Sequence, residues 1–151
     1  MSQLQQIEDI AYSENWPLSY VLARHIFDHH LHGRVFIVTD KPSAMISSVR
    51  KGWRRIRRNQ EKEYARTLDK EKRASLHRKI AIMDSLTFSM SRHLADSPDV
   101  LFFVTSEELA KRPRQCLVLY LTHEVDDTTL ERLTCTMPVG GYVVRCSMAK
   151  D

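Results

Sequence analysis

Four short apolar runs constrain this chain more than any other feature: RVFIVTD (34–40), DVLFFVT (99–105), CLVLYLT (116–122) and the shorter GYVVRC (141–146). Their apolar residues follow one another without the every-second-residue alternation of a strand that keeps one face wet. Each therefore reads as a strand buried on both faces, as in a parallel sheet covered by helices. Between them lie stretches of helical character: a long one from Pro42 to about Ser91, the short SEELAKR (106–112), and DDTTLERLTCTM (126–137). This alternation predicts an α/β fold with a small, open, mainly parallel four-stranded sheet flanked by helices. At 151 residues the chain is expected to form a single domain able to bury a core without disulfides or metals.

The segment ahead of the first run is expected to be helical over residues 1–33. QLQQIEDIAY (3–12) places Leu4, Ile7, Ile10 and Ala11 on one helical face, and LSYVLARHIFDHHLHG (18–33) does the same with Leu18, Val21, Leu22, His25, Ile26 and His29. Pro17 suits a first helical turn and Gly33 a C-terminal stop.

The stretch 43–91 is too long for one crossover helix. Apolar positions recur at Met45, Val49, Trp53, Ile56, Tyr64, Leu68, Leu76, Ile80 and Met83. Each four-residue step drifts ~40° around a helix of 3.6 residues per turn, so one straight helix would carry its apolar stripe away from the sheet. Two helices fit better, with a break in RRNQEKE (57–63) or LDKEKR (68–73). The expectation is a basic helical hairpin, inserted at about 43–91 between the first and second predicted strands, that extends beyond the sheet or pairs with a second copy.

Charge is concentrated on that insertion. The chain carries +4 overall, but Arg50 to Lys79 holds 13 Lys and Arg against 4 acids, a local +9 that leaves −5 elsewhere. The candidate nucleic-acid-binding residues are Arg50, Lys51, Arg54, Arg55, Arg57, Arg58, Lys62 and Arg66, around an apolar face of Val49, Trp53 and Ile56. Arginine's planar fork takes phosphate oxygens two at a time, and neutralising several phosphates releases counterions without any reading of sequence. Tyr64, Lys70, Lys72, Arg73, Arg78 and Lys79 would extend the patch. The same side chains also serve as the wet face of a helix whose stems cover apolar surface, or as a face for an acidic protein partner or a second copy of the chain.

Two other constellations carry chemistry. His25 and His29, four apart, face the same way on a helix, with His30, His32 and Asp28 nearby. A transition metal wants a third ligand, and the HExxH pattern is absent because Ile26 stands at the glutamate position. A structural role on the apolar stripe is favoured, and neither a metal nor a cofactor is expected. At the strand ends, Asp40, Glu107, His123 and Glu124 follow three of the predicted strands. Ligands of open parallel sheets bind there, and such carboxylates with a histidine suit a metal-dependent nuclease. Helix capping accounts for the same region: Thr105-x-x-Glu108 is a capping box, Ser43 can cap the helix after Pro42, and Asp126 can open DTTLERL.

Absences narrow the field. There is no GxxxxGK[ST], GxGxxG or GxSxG motif, so nucleotide hydrolysis, dinucleotide binding and acyl transfer are unsupported. Cys116, Cys135 and Cys146 lack CxxC spacing and read as buried free thiols of a reducing compartment. With no membrane-length apolar run and no signal-peptide pattern at the start, the expected location is cytoplasmic, away from membranes. The resulting expectation is a non-catalytic nucleic-acid-binding accessory protein, with a scaffold or assembly protein and a nuclease as alternatives.

Overall fold

The strands form where the sequence is apolar and β-branched without interruption. In the computed structural model, which describes residues 6–29, 35–90, 101–111, 117–135, 137–138 and 141–149, three of the four runs become strands in which every residue is buried. These are β2 (Val35–Val38), β3 (Leu101–Val104) and β4 (Val118–Leu121). The fourth run is β5 (Tyr142–Met148). A fifth strand, β1 (Gln6–Tyr12), lies at the sheet edge. The order is β1-β5-β4-β2-β3 and every pair is parallel.

The fifth strand corrects the expected helical start. Residues 6–12 are extended and pair with β5 from Gln6↔Tyr142 to Tyr12↔Met148, and the first helix, α1 (Leu18–His29), begins only after Pro17. The apolar spacing of Ile7 and Ile10 suits a helix, but Glu8, Ile10 and Tyr12 also alternate as a strand's half-buried side, with Gln6, Ile7, Asp9 and Ala11 exposed. Pairing with β5 decides between the two patterns, and that is a tertiary effect. Gly33 lies outside the described residues.

Helices cover both faces. On one side α1, α2 (Pro42–Arg66) and α3 (Lys70–Phe88) pack Leu22, Ile26, Trp53, Ile56 and Met83 on Ile37, Phe103, Tyr120 and Val144. On the other, α4 (Ser106–Lys111) and α5 (Asp127–Thr134) pack Leu109 and Leu133 on Phe36, Phe102, Leu119 and Val143. Alternate residues of β2, β3 and β4 feed the two layers, so these three runs are continuously apolar because both faces are dry.

The insertion is a hairpin of two helices, lying between β2 and β3 in the five-strand numbering. Its break is Thr67 to Asp69, at the start of LDKEKR, and α2 runs unbroken through RRNQEKE. Asp69 caps α3 by accepting from the backbone N–H of Glu71 and Lys72 at 2.9 and 3.1 Å. At the other end α2 starts on Pro42 with Lys41 as N-cap residue, so Ser43 lies inside the helix and not at its cap. Where α2 crosses α1, Gly52 lets the backbones meet. A Cβ there would stand 3.0 Å from the Ser19 carbonyl oxygen and 3.1 Å from the Tyr20 Cα.

The hairpin's fully buried residues lie in its proximal half, with the half-buried Leu76 packed against the same core. The buried residues of α2 end at Ile56 and those of α3 begin at Ile80, so residues 57–79 contain no fully buried side chain. At 1.5 Å per residue, the last ten residues of α2 carry the hairpin roughly 15 Å past its anchored part.

Candidate nucleic-acid interface

The basic candidates of α2, among them the four arginines of WRRIRR (53–58), divide into two groups. Trp53 and Ile56 are buried, as the apolar spacing predicts. The Trp53 indole N–H donates to Asp84 Oδ1 at 2.7 Å, and Arg57 Nε donates to both oxygens of the same carboxylate at 3.0 and 3.1 Å. Arg57 also pairs with Glu61, one turn on. The Asp84 hydrogen bonds hold the Arg57 guanidinium above its ordinary pKa. Arg50 reaches the Thr87 carbonyl at 3.4 Å. Arg55 stacks over Tyr20 and Trp16, its guanidinium carbon 4.8 and 5.5 Å from the ring centres. Three of the eight candidates thus tie α2 to α1 and α3.

The other five, Lys51, Arg54, Arg58, Lys62 and Arg66, are exposed. No ion pair engages them among the described residues. From Arg54 to Arg66 they recur every four residues, which places neighbours on adjacent turns of one side of the helix. The segment 57–79 beyond the anchored part carries nine basic and four acidic residues, a net +5.

At its end the hairpin forms an open groove of about 600 Å³, lined by Tyr64 of α2 and by Lys70, Arg73, Ala74, His77 and Arg78 of α3. The Arg73 guanidinium carbon lies 4.6 Å from the centre of the Tyr64 ring, and the His77 ring 6.1 Å away. The groove thus combines cationic donors with an aromatic surface, the pairing used to hold a nucleic-acid strand by its backbone and its base faces. His77 escaped the sequence reading because a lone histidine among lysines and arginines carries no signal until the turn folds it beside Tyr64.

The strand-end residues come together only in part. The C-terminal end of β2 leads to α2 on one face, while those of β4 and β3 lead to α5 and α4 on the other, which opens crevices beside β2. Asp40 and His123 meet there, with Asp40 Oδ1 3.4 Å from His123 Nε2. The contact is not a hydrogen bond, since Nε2 is enclosed without a hydrogen-bonding partner. His123 Nδ1 contacts the Glu124 carbonyl oxygen at 3.1 Å. Among the described residues, Asp40, Glu107, His123 and Glu124 do not form a three-donor cluster of metal-binding dimensions. Capping takes up the neighbours: the backbone N–H of Glu108 donates to Thr105 Oγ1 at 3.1 Å, and that of Thr129 to Asp126 Oδ1 at 2.6 Å.

Comparison with protein-family models, with curated protein sequences and with solved structures finds no match to this chain. Among the described residues no helix is long and apolar enough to cross a membrane.

Proposed function

We propose that this protein is a nucleic-acid-binding accessory protein that grips phosphate backbone with the helical hairpin, without chemistry of its own. The observation that carries the reading is the division of the arginines. Those that hold the fold have partners, and five of the exposed cations of α2 have none among the described residues. Four of them recur at four-residue spacing, and no acid among the described residues pairs with them. They are placed to neutralise a run of phosphates, which releases counterions. The groove of Tyr64, Arg73 and His77 favours a strand with accessible bases, because a stacked duplex offers no base face to an aromatic ring.

The test exploits the same division. Arg54, Arg58, Lys62 and Arg66 changed together to Gln should leave the unfolding midpoint within a few degrees of wild type and weaken binding of a labelled single strand by at least ~10-fold. Unchanged binding would exclude α2 as the grip.

A second reading is docking of the hairpin on an acidic protein, or of two hairpins on each other. Leu68 at the turn is 94% exposed and Phe88 at the end of α3 is 87% exposed, both large apolar groups open to a partner. Sedimentation of wild type beside Leu68→Asp and Phe88→Asp separates this reading from the first. Ile56 and Ile80 are unsuitable probes of assembly, because both are buried in the core.

A further inference from the structure

The histidine pair on α1 acquires in three dimensions the partner that its own sequence lacks. Register places Glu8 of β1 beside Val144 of β5, and Val144 beside Tyr120 of β4, so Glu8 and Tyr120 stand in one row on the face covered by α1. His25 descends on that row. Its Nε2 is 3.2 Å from Glu8 Oε2, and its Nδ1 is 2.7 Å from the Tyr120 hydroxyl. His29, one turn on, has its Nδ1 2.9 Å from the His25 carbonyl oxygen. One donor atom from each of Glu8, His25 and His29 lies within 4.8 Å of the others.

From this geometry we propose that Glu8, His25 and His29 form a binding site for a divalent transition-metal ion of the zinc type. The hydrogen bonding of the two rings supports it beyond proximity. Both imidazoles have Nδ1 occupied, one by a hydroxyl and one by a backbone carbonyl, which leaves Nε2 of each as the coordinating atom. A hydrogen-bond partner on the other ring nitrogen is the usual arrangement of a metal-bound histidine, because it sets tautomer and orientation. The Tyr120 hydroxyl can donate to Nδ1 or accept from it. His25 can therefore carry its proton on Nε2 and donate it in a hydrogen bond to Glu8 when no ion is bound, and carry it on Nδ1 when Nε2 is coordinated.

The dimensions and access also fit. Tetrahedral Zn²⁺ with ligands at 2.0–2.1 Å needs donor atoms about 3.3 Å apart. The His25–Glu8 pair is already there, and His29 must tilt out of its stack on His25, where the ring centres are 3.9 Å apart. The exposed side of His29 leaves room for that movement, and Glu8, 40% exposed, gives the ion a route in. Two imidazoles and one carboxylate leave a coordination position open to water or to a ligand.

The experiment is titration of the metal-stripped protein with Zn²⁺ by calorimetry, and with Co²⁺ by visible absorption. Full-length wild type is compared with Glu8→Gln, His29→Gln and Tyr120→Phe. The expected result is one ion per chain at micromolar or lower Kd. Glu8→Gln and His29→Gln, both at accessible positions, should weaken it at least ~10-fold. Tyr120→Phe, a positioning change, should shift the Co²⁺ absorption band as well as the affinity. Wild-type binding that is absent, or equal to that of the Glu8→Gln/His29→Gln double variant, would overturn the site. Nucleic-acid binding by the hairpin is read separately and stands or falls on its own.

Discussion

Arg57 on α2 forks its Nε hydrogen across both carboxylate oxygens of Asp84 on α3, at 3.0 and 3.1 Å, and the Trp53 indole N–H shares the same carboxylate. This one acid joins the two helices where the hairpin leaves the core. Asp84→Ala leaves the buried indole N–H without its acceptor and is expected to cost about 1–3 kcal/mol. Asp84→Asn, which keeps an acceptor, should cost less. Arg57→Gln should cost least, because the Arg57 side chain is 40% exposed and its ion pair is screened by water. Denaturant unfolding of the three variants gives the ranking.

The free half of the hairpin should be the less stable half. With no fully buried side chain between residues 57 and 79, amide exchange there is expected to be faster than over 80–87, where Ile80, Met83, Leu86 and Thr87 are buried. Addition of a bound strand should slow exchange in 57–79 more than elsewhere. Uniform protection in the free protein would show that something else holds the hairpin.

Gly52 is required by packing. Alanine there drives a Cβ against backbone atoms of Ser19 and Tyr20, which have no side-chain freedom with which to give way. Gly52→Ala is expected to lose about 1–3 kcal/mol, although alanine is the better helix former. Loss of the Arg55 stacking on Trp16 and Tyr20 should accompany it, visible as a change in Trp16 fluorescence.

The cysteines should react unequally. Burial pushes the Cys146 thiol up to about 12, whereas Cys135, expected to be buried, is exposed beyond the end of α5. At pH 8 an alkylating reagent should label Cys135 in the native protein and reach Cys146 only on unfolding, as peptide mapping would read directly. A thiol pKa raised on folding contributes stability that is intact below the ordinary value of 9.0 and erodes as pH climbs from there toward about 12. Cys146→Ala should flatten that alkaline loss.

The parts of the fold legible in the sequence are those set by short-range pattern. VFIV, LFFV and VLYL announce buried strands by lacking alternation, and the drift of four-residue steps requires the break found at Thr67 to Asp69. Strand β1 was not legible, because a half-exposed edge strand with Ile7 and Ile10 three apart imitates a helix until β5 pairs with it. Its misassignment also hid Glu8, which reaches His25 only once residues 6–12 are extended. Likewise nothing local distinguishes Arg57 from Arg58. The difference is Asp84, 27 positions away from Arg57 in the chain.

The unpaired cations of the hairpin are tested most directly by the salt dependence of binding. Fluorescence anisotropy of labelled single- and double-stranded DNA and RNA, titrated at ~50 to 300 mM salt, gives the number of phosphates neutralised from the log–log slope. The predicted result is micromolar or tighter binding at low salt with a slope of roughly three to five charges, reduced by at least two when Arg54, Arg58, Lys62 and Arg66 become Gln. No binding at ~50 mM salt, or binding whose slope the four changes leave untouched, would contradict a phosphate-gripping hairpin.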